Sequence, residues 1–99
     1  MKCIQKYNVW GGHTSTMLEA PIIKPLHVDY INGSATLWAI VDTDKESEEW
    51  LVSCIGDGTD IGGIYGDVDC DAYLNTTVAS SEPFIWHWFC RKFVSGFDV

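Results

Sequence analysis

An all-β domain is what three features of the chain predict. Polar and apolar residues alternate with a period of two through most of its length, and no window carries the three-to-four-residue apolar spacing of an amphipathic helix. Asn32-Gly33 stands between two alternating stretches, where its tolerance of positive φ suits a two-residue hairpin turn. Ninety-nine residues supply one core, so a single domain over 1–99 is expected. Its seven or eight strands would form a small barrel or sandwich with little or no helix.

The elements follow in order. Lys2 to Val9 alternates, with Cys3, Gln5 and Tyr7 on one side and Lys2, Ile4 and Lys6 on the other, until Gly11-Gly12 ends it. His13 to Glu19 predicts a short, peripheral second strand, interrupted by Pro21. Leu26 to Ile31 alternates into the Asn32-Gly33 turn, and Ala35 to Val41 (ATLWAIV) is a nearly continuous apolar run, which predicts a central strand covered on both faces. Asp42 to Glu49 is the one charged run, expected as a solvated loop with room for a helical turn. Trp50 to Ile55 predicts the next strand. After it, Gly56 to Gly63 holds four of the nine glycines, a loop built for tight turns or for close approach of a ligand to the backbone. Tyr73 to Val78 and Phe84 to Phe93 predict the last two strands.

Six Lys and Arg against fourteen Asp and Glu give a net charge of −8, so the surface as a whole repels phosphate backbones and general nucleic-acid binding is not expected. Cys3, Cys54, Cys70 and Cys90 show no C-x-x-C spacing, which excludes a zinc-finger pattern and reads as small buried or half-buried thiols of a reducing cytoplasm. The opening MKCIQKYNVW lacks the apolar core of a secretory signal, and no apolar stretch approaches a membrane span. A cytoplasmic location is expected.

Motifs with chemical meaning are few. Asp67-Val68-Asp69-Cys70-Asp71 has the alternate carboxylates that open a calcium loop, but Ala72 stands where the sharp turn needs Gly and Val78 where a bidentate Glu belongs. A solvated acidic loop is expected there, and a looser site shared with Asp57 and Asp60 stays open. The cysteines and the three histidines, His13, His27 and His87, form no local nucleophile signature, so no enzyme activity, metal or cofactor is predicted. His87 alternates with Ile85 and Phe89 on one face of the last strand while Trp86, Trp88 and Cys90 take the other, which reads as a satisfied core histidine.

Five tryptophans are more amphipathic bulk than one small core readily absorbs. Exposed tryptophans anchor protein interfaces and stack on nucleobases. If Trp38, Trp50 and Trp86 fill the two faces of a sheet, Trp10 and Trp88 are the ones left partly wet. The candidate ligand-binding residues are therefore Trp10, Trp86, His87 and Trp88 for stacking. Arg91 and Lys92 would supply charge, and His13, Thr14, Asp57 and Thr59 stand on the glycine-bearing loops, whose backbone N–H groups can hold a small anion.

The opening M-K-x-I-x-K-Y, the run Leu37-Trp38-Ala39-Ile40-Val41-Asp42 after an Asn-Gly turn, Cys54-Ile55-Gly56-Asp57-Gly58, Tyr73-Leu74 with Thr77-Val78, and Ile85-Trp86-His87-Trp88-Phe89 together resemble a family of short phage and prophage proteins of unknown function. The chain departs from that pattern by a longer insert, Ile61 to Asp71, and by running on past the W-H-x-F motif to Val99. The resemblance implies origin and size class and no reaction. A phage protein that binds without catalysis fits the contest with bacterial immunity in two ways. It is either a homo-oligomeric sponge that encloses a nucleotide-derived immune signal, or an acidic inhibitor, centred on Asp42 to Glu49 and Asp67 to Asp71, that occupies the basic groove of a host defence protein.

Overall fold

The computed structural model describes residues 1–9, 15–58, 70–78 and 85–93. Within them lie seven strands: β1 (Lys2–Asn8), β2 (Ser15–Ala20), β3 (Ile22–Ile31), β4 (Ser34–Asp42), β5 (Glu48–Gly56), β6 (Tyr73–Val78) and β7 (Ile85–Lys92), with one 3-10 turn at Cys70–Ala72. They form two antiparallel sheets, one ordered β1-β4-β3 and the other β2-β5-β7-β6. The architecture is the sandwich-like one of the two expected, and not a closed barrel. No helix among the described residues is long and apolar enough to cross a membrane.

The turn at Asn32-Gly33 forms as its sequence requires. Asn32 has φ 51° and Gly33 φ 80°, and Ile31 pairs Ser34 directly across it. This hairpin makes β4 central, between β3 and β1. Ala35, Leu37, Ala39 and Val41 are buried between the sheets, whereas Trp38 and Ile40 on the opposite face are only half-buried. Cover on both faces reaches further in β5, where Val52, Ser53, Cys54 and Ile55 are buried in succession, than in β4, where it is confined to Ala35, Thr36 and Leu37.

The third strand begins at Ile22, four residues earlier than predicted, and only Pro21 separates it from β2 in the other sheet. Pro25 is accommodated because β3 is an edge strand whose pairing with β4 slips at Ile22/Lys24 and again at Pro25/His27, so no ladder bond is demanded of the proline nitrogen. The charged run Asp42 to Glu49 makes a turn and no helix, with Lys45 N–H donating to the Asp42 carbonyl at 3.0 Å, and β5 starts inside it at Glu48.

The core joins Val9, Ile22, Val28, Leu37 and Val41 to Val52, Cys54, Trp88 and Cys90. At one side the two sheets are tied by Asn75 of β6, whose Oδ1 accepts from Val28 N–H at 2.8 Å and whose Nδ2 donates to the Val28 carbonyl at 2.7 Å. A single side chain thus supplies the two bonds of a strand pair between β6 and β3.

Candidate functional site

Period-two geometry on β7 divides the predicted ligand residues between two faces. Trp86, Trp88 and Cys90 point to the core, and His87 and Arg91 lie on the outer face. A base stacked on Trp86 or Trp88 and a phosphate held by Arg91 would be on opposite sides of the sheet. Trp88 is 0% exposed and its Nε1–H donates to Thr77 Oγ1 at 2.8 Å, so the tryptophan expected to be partly wet is the most buried, while Trp38, Trp50 and Trp86 are half-buried. The reason is position: β7 runs between β5 and β6, and Trp88 sits mid-strand opposite Cys54. Lys92 is exposed and ion-paired with Glu48. Trp10, His13, Thr14 and Thr59 lie outside the described residues, as do Asp60, Asp67 and Asp69, and Asp71 is exposed within the 3-10 turn. Among the described residues no three His, Cys, Asp or Glu side chains converge on a common point.

Asp57 and His87 do come together, in a relay on the outer face of the four-stranded sheet. His87 Nε2 is 3.0 Å from Asp57 Oδ1, His87 Nδ1 is 2.9 Å from Thr76 Oγ1, and Thr76 Oγ1 is 2.6 Å from the Tyr73 hydroxyl. An ionised carboxylate only accepts, so Nε2 carries a proton toward Asp57, and in the neutral ring Nδ1 accepts from the Thr76 hydroxyl. Tyr73 then donates to Thr76. Every bond therefore runs one way, from hydroxyl through imidazole to carboxylate. His87 is satisfied as expected, but at 30% side-chain exposure it belongs to the surface and not to the core.

The backbone explains the juxtaposition. Asp57 N–H donates to the Ile85 carbonyl at 3.1 Å, and Gly58 at φ 79° turns the chain directly after it. A register slip between Tyr73 and Asn75 puts Tyr73 opposite Phe89 and Thr76 opposite His87, so two residues of unlike parity share one face. The Tyr73 ring meets Phe89 edge-on with centroids 5.6 Å apart.

A second feature lies on the other sheet. An open pocket of about 340 Å³ is lined by Lys6, Tyr7 and Asn8 at the end of β1, by Ile31, Asn32 and Ser34 at the hairpin, and by Thr36. Beside it, register sets Lys6 opposite Trp38 and Trp38 opposite His27, whose rings are 6.3 Å apart. Lys2, Lys6 and Lys24 share this outer face and make no ion pair among the described residues, so half of the chain's six cations gather on one side of an acidic protein. None of these pocket residues was singled out from sequence. The alternation of Lys2, Ile4 and Lys6 was the available signal, but their partners on β4 are more than thirty positions away.

The acidic run, by contrast, is largely answered within the chain. Asp42 and Asp44 hold the Met1 amine at 3.2 and 2.6 Å, and Glu48 holds Lys45 at 2.7 Å as well as Lys92. The Asp44 N–H and then the amine keep the Asp42 carboxyl below its ordinary range, as Lys45 and Lys92 do for Glu48.

Over residues 1–95 the sequence matches a family described as Domain of unknown function (DUF7352). No curated protein and no solved structure matches.

Proposed function

The chain belongs to that family, whose description carries no chemistry, and from its own residues we propose a phage-encoded, non-catalytic binding protein that sequesters a small nucleotide-derived immune signal in the host cytoplasm. The carrying observation is the pocket at Lys6, Tyr7, Asn8, Asn32, Ser34 and Thr36. Its volume of about 340 Å³ suits a ligand of mononucleotide size. Lys6 offers a charge for phosphate, and Asn8, Asn32, Ser34 and Thr36 offer amides and hydroxyls for a sugar or a base edge, whereas the Tyr7 ring turns to the core opposite Leu37 and lends the pocket only its edge of the strand. Lys2, Lys6 and Lys24, which make no ion pair among the described residues, place three positive charges on this face beside Asp29 and Asp42, although the chain as a whole is at −8. A second copy of the chain would close the open side, which is why the protein works as a homo-oligomer. Phage origin is supported by the motif resemblance alone.

The competing role, an acidic inhibitor of a host defence protein, is favoured less because Asp42, Asp44 and Glu48 already face cations of their own chain. Titration calorimetry with cyclic and ADP-ribose-derived nucleotides tests the choice. Lys6→Glu is expected to weaken binding at least tenfold, with Arg91→Ala unchanged. Equal affinity in wild type and Lys6→Glu would remove the pocket from the account.

A further inference from the structure

The relay on the four-stranded sheet uses no residue of the pocket, and its polarity has a chemical consequence of its own. A hydroxyl that donates to an imidazole, itself held by a carboxylate, is the arrangement that raises an alcohol to a nucleophile, and it is recognised by geometry and not by position in the chain. Thr76 Oγ1 stands 2.9 Å from His87 Nδ1, inside the range for direct proton transfer, and Asp57 at 3.0 Å fixes the other nitrogen as the protonated one. Tyr73, 2.6 Å away, occupies one lone pair of Thr76 Oγ1 and fixes the side chain toward the imidazole, leaving the second lone pair for attack. Thr76 is exposed on edge strand β6, so an incoming group reaches it from solvent.

We propose that Thr76 is an acyl-accepting site, with His87 as its base and Asp57 and Tyr73 as positioning residues, and that its donors are activated acyl compounds such as aryl esters and thioesters. Thr76 Oγ1 attacks the carbonyl carbon as its proton passes to His87 Nδ1. The bond from the carbonyl carbon to the leaving group then breaks, and the leaving group departs with the electron pair as a stable anion. The imidazolium, held by Asp57, returns its proton to solvent. The product is an ester of Thr76, one per chain, and no oxidant or reductant is consumed. Donors of this class need only a nucleophile and a base, which is what the relay supplies. The site is a place of modification, distinct from the ligand pocket, so the two readings stand or fall separately.

The test is incubation of the full chain with p-nitrophenyl acetate, followed by digestion and peptide mass spectrometry. The expected result is one acetyl group on the peptide carrying Thr76, retained in Thr76→Ser and lost in Thr76→Val. His87→Asn should slow labelling about 100-fold. Asp57→Asn should slow it without moving the thermal unfolding midpoint, a split that a merely structural role would not give. Labelling confined to lysines, or a pattern unchanged by Thr76→Val in a variant that unfolds at the wild-type temperature, overturns the proposal.

Discussion

Asn75 on one sheet grips Val28 on the other through both ends of its amide, accepting at 2.8 Å and donating at 2.7 Å. Because β6 and β3 are edge strands of separate sheets, this one side chain satisfies backbone groups that would otherwise need water or a neighbouring strand. Asn75→Ala leaves both Val28 groups unpaired in a half-buried setting. It is expected to lower stability by about 2 kcal/mol in urea unfolding, whereas Val78→Ala, at an exposed position on the same strand, changes it by less than about 0.5 kcal/mol.

The hairpin supplies a backbone prediction. Gly33 at φ 80° has nothing within 4 Å of the place a Cβ would take, so Gly33→Ala meets no clash and carries the conformational cost alone. A loss of about 1 kcal/mol is expected, measured by the shift in urea midpoint.

Cysteine reactivity should divide by burial. Desolvation pushes the Cys54 and Cys90 thiols up to about 12, and both are free, as is the half-buried Cys3. At about pH 8 their thiolate fraction is roughly one in ten thousand. Iodoacetamide should therefore label Cys3 in the native protein well before Cys54 or Cys90, which react once denaturant is added. Peptide mapping reads the order.

Stability should decline on both sides of neutrality. The carboxyls of Asp42 and Glu48 are lowered from ordinary values of 3.8 and 4.5, so their contribution is present above those values and is lost as pH falls through and below them. The Met1 amine is raised from 8.0 by its bonds to Asp44 and Asp42, so its contribution is present below 8.0 and is lost as pH rises through the higher folded value. The Met1 amine is exposed and the two carboxyls are only half-buried, so the slopes should be shallow. Urea midpoints across the pH range show both limbs, and acetylating the N-terminus should remove the basic one.

The parts of the fold written locally were legible in the sequence. The Asn32-Gly33 turn needs positive φ at two successive residues, and β6 spans Tyr73 to Val78 as its alternation indicates. What alternation does not say is which face is the core or which strands adjoin. It placed Trp86, Trp88 and His87 on opposite faces correctly. Burial of Trp88 follows only from β7 lying between β5 and β6, which no local pattern encodes. Alternation from Leu26 misses Ile22 to Pro25, the first four residues of β3, because the register slips there and an edge strand tolerates Pro25.

The candidate site was legible to the same degree. Asp57 and His87 stood among the residues expected to bind, but their partners Tyr73 and Thr76 share a face only through the slip at Tyr73/Asn75, which leaves no mark in the composition. The pocket rests on β1 paired with β4, and long-range register of that kind is a property of the folded chain.

Native mass spectrometry of the purified protein, alone and with cyclic and ADP-ribose-derived nucleotides, tests the central claim most directly. A stable oligomer that takes up nucleotide stoichiometrically, releases it unchanged on denaturation and loses uptake in Lys6→Glu is the result predicted. A monomer that binds no nucleotide would contradict it and turn the search to a basic protein partner.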